Sequence, residues 1–202
     1  MNYDGIMASI AEQCCSNLRC IHCTFSAWSQ TRPMSLTVSH QTALTKKNMT
    51  LDELLKQYEN GPELLKTAIA TVRNDQLDLI PVLGKWSIRQ VVCHIADFEP
   101  VYTDRMKRVL VEDNPTMFGG DPDVFAAGLH YEKRHVQDEL ELISVVRRQM
   151  AVILRNTDVE DFQRTGVHSE AGPLTLETLL ERITRHIPHH VTFITAKIAA
   201  MR

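Results

Sequence analysis

The sequence predicts an all-α protein, a four-helix bundle with one short extra helix, and three observations carry that prediction. Four long stretches repeat their apolar residues at the helical period of about 3.6. Clusters of Gly, Pro and Asn fall mainly between those stretches. No segment alternates apolar and polar residues convincingly enough to be read as a strand, and no internal repeat is present. Amphipathic helices of this length bury their apolar stripes against each other, and a bundle is the simplest way to do so.

The elements follow in order. Residues 51–74 place Leu51, Leu54, Leu55, Tyr58, Leu64, Leu65, Ile69 and Val72 on one side. Gly61-Pro62 interrupts this run, which predicts a kink or a brief break. Residues 81–85 read as a connector. Ser87 is the expected N-cap of the second helix, with Gln90 three residues later completing a capping box. That helix carries Ile88, Val91, Val92, Ile95, Phe98, Tyr102, Met106 and Val109 and should run to about residue 112. Asn114-Pro115 and Gly119-Gly120-Asp121-Pro122 read as a loop, and Asp121 or Asp123 can cap a short helix over 123–131. A long helix over about 135–155 carries Val136, Leu140, Leu142, Ile143, Val146, Met150, Ile153 and Leu154. Residues 156–174 are polar, contain Gly166, Gly172 and Pro173, and read as a loop. The last helix begins near Thr175, with Leu176, Leu180, Ile183, Ile187, Val191, Ile194 and Ile198 as its stripe. The loops after the second and third helices are long, so tight up-down connectivity is not required.

Composition narrows the function. The chain has 202 residues and a formal charge of -3. It has no clustered basic face, so nucleic acid is not an expected partner. The longest apolar runs are a few residues, too short to span a bilayer, and no segment has the order of a secretory signal. The expected location is the cytoplasm. Four of the five cysteines, Cys14, Cys15, Cys20 and Cys23, sit in the first 25 residues, and the fifth is Cys93. An odd count packed into one segment does not make a secreted disulfide framework. Residues 1–48 show no sustained period, whereas Met49-Thr50-Leu51 reads like the beginning of a protein. Residues 1–48 are therefore expected to be a disordered tail or a misassigned start, and residues 49–202 the folded domain. A zinc knob on Cys20-Ile21-His22-Cys23 with Cys14 and Cys15 is the competing reading, but the second ligand cluster is missing.

Three of the nine histidines stand out. His186 and His190 are four apart on the last helix, so they lie one above the other on one face. Such a pair can reach one metal ion at about 2.0–2.1 Å per nitrogen. His94 sits at the border of the second helix's stripe, and histidines at the border of two core faces meet when those helices pack. The competing reading is three ordinary, partly buried histidines. His189 points roughly 100° away from His190, and His22, His40, His130 and His135 receive no role. Asp97, one turn after His94, could take a proton from a substrate or orient a ligand, or it could lie on a solvated helix face. His168 could close over the metal from the loop before the last helix. Pro188, between the two ligands, should bend that helix. Cys93 is one residue off the ligand face and fits a small buried residue better than a nucleophile.

Three neutral imidazoles leave coordination positions open, as in a catalytic site. Without a carboxylate ligand, a two-His-one-carboxylate iron centre is disfavoured, and zinc, nickel and manganese stay open.

The run Trp86-Ser87-Ile88-Arg89-Gln90-Val91-Val92-Cys93-His94-Ile95-Ala96-Asp97-Phe98-Glu99 resembles a signature of the DinB-like family. Gly172-Pro173-Leu174-Thr175-Leu176, followed by His186-Ile187-Pro188-His189-His190, resembles that family's C-terminal signature. The resemblance spans residues 49–202. It implies a four-helix bundle in which His186 and His190 join His94 as metal ligands. It also implies a small-molecule substrate, a homodimer, and either metal-dependent hydrolysis or a transfer or isomerisation that uses a low-molecular-weight thiol. The alternatives are a non-catalytic metal-binding stress-response bundle and a structural bundle without metal.

Overall fold

The computed structural model describes residues 49–201. The expectations for residues 1–48, a disordered tail, a misassigned start or a zinc knob, lie outside the described residues.

Helix α1, Leu51–Ile69, starts at Thr50, whose hydroxyl accepts from the Glu53 amide while Glu53 reaches back to the Thr50 amide. Helix α2, Ile88–Val111, starts at Ser87 with the reciprocal Ser87–Gln90 box that the sequence predicts. Helix α3, Pro122–Gly128, is capped by the Asp121 carboxylate, which accepts from the amides of Asp123 and Val124. Helices α4, Val136–Arg155, and α5, Leu176–Ala200, complete the set. Helix α1 packs on α4 and α5, and α2 packs on the same two. The consecutive long helices α1 and α2 thus face each other across the bundle, and so do α4 and α5. The stripes meet in a shared core that includes Leu65, Ile88, Val92, Ile95, Ile143 and Ile187. No helix among the described residues is long and apolar enough to cross a membrane.

The structure corrects four expectations. The predicted break at Gly61-Pro62 is absent, and α1 runs through it. Pro62 removes the donor for the Tyr58 carbonyl, but the Arg147 guanidinium donates to that oxygen from α4 at 2.8 Å. The helix also ends at Ile69 rather than residue 74, because Arg73 is extended and a short 3-10 turn, Asn74–Gln76, is tied to it by the Gln76 side chain. Leu64 and Leu142 are exposed rather than in the core: Leu64, one residue before Leu65, turns away from the buried face of α1, and Leu142, two residues from Leu140, lies on the far side of α4. Residues 156–174 are not a plain loop. After a 3-10 turn, Val159–Gln163, strands β2, Thr165–His168, and β3, Gly172–Thr175, form an antiparallel hairpin. A two-residue strand β1, Thr116–Met117, joins β2 in parallel, pairing Met117 with His168. Strands this short, one with Gly166 and one with Pro173, offer no alternation to read. Pro188 sits on an exposed face of α5, which continues through it without interruption.

Candidate metal centre

Helices α2 and α5 bring His94, His186 and His190 together. Their packing faces converge, and the four-residue spacing stacks the two α5 imidazoles. The His94 and His186 Nε2 atoms are 3.1 Å apart, as are those of His186 and His190. All three ligand atoms lie within 4.8 Å of one another. His94 and His190 are buried and His186 is half-buried.

Hydrogen bonding does not account for this geometry. An imidazole nitrogen carries either one N–H or one in-plane lone pair. The His186 Nε2 can therefore form one good bond, yet it faces two nitrogens at 3.1 Å. The three Nδ1 atoms are buried and have no hydrogen-bond partner among the described residues. A tetrahedral ion with bonds of about 2.0–2.1 Å places its ligand nitrogens about 3.3–3.4 Å apart, close to what is seen here. The donor set thus fits a divalent ion.

The electrostatics agree. Burial, with the nearby His189, pushes His94 down to about 4. His186 falls well below the ordinary histidine range through burial and then the neighbouring imidazole of His190. His190 does so through burial and then His94. All three rings are neutral near pH 7, with lone pairs available. Aromatic rings wall the site: Trp86 lies 5.1 Å and Phe98 4.7 Å from the His94 ring, centroid to centroid.

The remaining candidates sit apart from this cluster. Asp97 is half-buried, and its carboxylate accepts from Arg134 at 2.8 Å. Arg134 also holds Glu139 on α4, so the pair ties α2 to α4. His168 is buried on β2, where its Nδ1 accepts from the amides of Glu170 and Ala171 in the hairpin turn. Burial, then the Arg105 cation, holds it below the usual histidine range. Cys93 is fully buried, its thiol donates towards the Tyr131 carbonyl, and burial pushes it up to about 12. His189 is half-buried beside the site, its ring 5.4 Å from that of His190.

A second polar cluster lies in the same bundle. Arg147 of α4 is 1% exposed and Glu99 of α2 is 0% exposed, and they pair at 2.6 Å. Arg147 also donates to the Tyr58 carbonyl of α1 and to the Ile183 carbonyl of α5. Its guanidinium stacks 4.6 Å from the Tyr58 ring centroid. One side chain therefore ties four helices together, and Ile183 is three residues before His186. A Cβ at Gly61 would fall on that guanidinium, so glycine leaves room for it. Burial raises Glu99 against the lowering effect of Arg147. Sequence reasoning missed this pair, although both residues interrupt apolar stripes: Arg147 follows Ile143 by four, and Glu99 follows Ile95 by four.

Comparison with known proteins places this site in context. Residues 57–194 match the family pattern of the DinB superfamily. A protein of Oceanobacillus iheyensis named as a candidate metal-dependent hydrolase is 29% identical over 149 residues, 74% of this chain and 86% of that one. A Bacillus cereus protein of the same name is 29% identical over 146 residues, 72% of this chain and 84% of that one. Among solved structures, YfiT from Bacillus subtilis, described as a candidate metal-dependent hydrolase with an unusual four-helix bundle topology, superposes with a TM-score of 0.71. It is 25% identical and covers 81% of this chain and 93% of its own. A mycothiol-dependent maleylpyruvate isomerase shares the fold, with a TM-score of 0.59 at 14% identity over 72% of this chain and 60% of that one.

Proposed function

The chain belongs to the DinB superfamily, and from that premise we propose that it is a metal-dependent hydrolase holding one divalent ion on His94, His186 and His190. The observation that carries the reading is the convergence of three neutral Nε2 atoms that hydrogen bonding cannot satisfy together. The names of the relatives from Oceanobacillus iheyensis and Bacillus cereus, and of YfiT, point to the same class.

No carboxylate joins the cluster among the described residues. The protein supplies three neutral donors and leaves the charge of the site uncompensated. A bound zinc, nickel or manganese ion would act as a Lewis acid and bring the pKa of a coordinated water towards neutrality. The chain's own residues do the rest. Helices α2 and α5 fix the donor directions. Trp86 and Phe98 cover the His94 ring and keep bulk water from one side of it. One oxygen of Asp97 accepts from Arg134, which helps hold α2 against α4.

Turnover by the full chain, loaded in turn with each of the three metals, tests the reaction on a panel of amides, esters and thiol conjugates. Metal-dependent cleavage of an amide or ester that His186→Ala abolishes supports the hydrolase. Turnover confined to thiol-requiring substrates would replace it with a thiol-dependent transferase. A metal-loaded protein inert on the whole panel would leave a non-catalytic metal-binding bundle.

A further inference from the structure

We propose that Arg105 holds a carboxylate of the substrate in a cavity whose wall residue Phe98 also packs against the triad, so that the molecule acted upon is a carboxylate with an apolar body. The inference rests on the proposed metal centre for where the reacting end lies, and on separate residues for where the anion lies.

Arg105 is on α2, three turns beyond His94, an axial rise of about 16 Å. It is 4% exposed. Its Nη2 donates to the Phe118 carbonyl, and its guanidinium lies 5.0 Å from the Tyr102 ring centroid. No carboxylate lies within ion-pair distance of it among the described residues. An arginine cannot shed its proton to escape burial, and a buried cation without a counter-charge is costly. Arg147 shows the usual remedy, a buried glutamate at 2.6 Å. Arg105 has none, and the charge it lacks is one that a ligand can bring.

There is room for that ligand. Arg105 lines a cavity of about 590 Å³ together with Phe98, Val101, Met117, Phe118 and Phe125. That volume suits a small organic molecule, and the walls are largely apolar. Phe98 belongs to both places: it lines the cavity, and its ring is 4.7 Å from that of His94 and 6.1 Å from that of His186. Phe98 is thus the link along which a molecule anchored on Arg105 would extend towards the triad. The rim disfavours a doubly charged ligand. Asp104 and Arg108 line it too, and Arg108 is shared between Asp104 and Glu112. Those three sum to one negative charge, and the Glu170 carboxylate lies against Gly119 of the same lining, so the rim opposes a dianion such as phosphate. A planar carboxylate also matches the guanidinium fork.

Calorimetric binding of hydrocinnamate and of its neutral amide to the full chain tests this without requiring turnover. The wild type should bind the acid about tenfold or more tighter than the amide, the difference expected of one charge-assisted pair. Arg105→Met should erase the preference, Arg105→Lys should keep part of it, and His186→Ala should keep it whole. Circular dichroism establishes that each variant is folded, and Arg105→Lys decides the matter where Arg105→Met is not. Equal binding of acid and amide by the wild type overturns the proposal, as does an unchanged preference in either Arg105 variant. A preference lost in His186→Ala but kept in Arg105→Met would put the carboxylate on the metal, overturning this proposal while leaving the metal centre. An intact preference in a protein that binds no metal would do the reverse.

Discussion

Arg147 with Glu99 and the histidine triad are both buried polar clusters that join α2 to α5, and they differ in what faces their polar atoms. Arg147 spends its terminal nitrogens on a glutamate and two backbone carbonyls. The triad turns three Nε2 atoms towards one another in a geometry that hydrogen bonds cannot satisfy together, and its Nδ1 atoms have no hydrogen-bond partner among the described residues. A cluster the protein pairs for itself fastens helices, whereas a cluster left open awaits a ligand. Arg105 falls on the open side of the same divide, nearly as buried as Arg147 but without an acid.

The largest expected effect comes from breaking the paired cluster. Arg147→Met strands Glu99 in the core and should cost about 3–5 kcal/mol, read from denaturant unfolding. Adding Glu99→Leu removes the stranded charge, and the double variant should recover more than half of the loss. A double variant no better than the single one would show that the carbonyl contacts, not the ion pair, hold the bundle.

The open cluster should announce itself through pH. His94 titrates at about 4 in the folded chain against 6.5 when unconstrained. Between those values the unfolded chain binds more protons, so stability falls as pH drops from about 6.5 to about 4. For His94 alone this amounts to about 3 kcal/mol in the metal-free protein, and His186 and His190 shift in the same direction. Unfolding midpoints collected across that range measure it. A flat profile would mean that the three rings are not held neutral.

Smaller effects sharpen the picture. Gly61→Ala places a methyl group against Arg147 and should cost about 1–3 kcal/mol in the same unfolding assay, because the guanidinium must yield. That cost should shrink in an Arg147→Met background, where only the Ile187 side chain at 3.2 Å still crowds the methyl group. Cys93 should react with thiol reagents only on unfolding, since its thiol is buried and pushed up to about 12. Rapid labelling of Cys93 itself in the native protein, read from its peptide by mass spectrometry because four further cysteines precede it, would place it on an accessible surface and reopen a nucleophilic role.

The apolar stripes made the bundle legible, because Ile88, Val92, Ile95 and their counterparts repeat at the helical period and are buried where that period puts them. The capping box at Ser87 and Gln90 was equally local. His186 and His190 were readable from spacing, and His94 from its place at the edge of a stripe. The hairpin was not legible, since four residues with a glycine or a proline cannot show alternation and their pairing depends on a partner. Nor was the bond between Asp97 and Arg134, which joins positions 37 apart and left Asp97 open to two readings. The buried arginines did leave a trace. Arg105, like Arg147, occupies a stripe position, seven after Phe98 and four before Val109. A charge placed in such a stripe must be paired by the protein or by a ligand, and which of the two applies depends on contacts that lie far apart in the sequence.

The claim that the open cluster is a metal centre is tested most directly by elemental analysis of the full chain after equilibration with zinc, nickel and manganese, beside His94→Ala, His186→Ala and His190→Ala. The account predicts one tightly held divalent ion per chain in the wild type, lost in each histidine variant and retained in Arg105→Met. A wild type that holds no ion, or histidine variants that hold it as well, would contradict it.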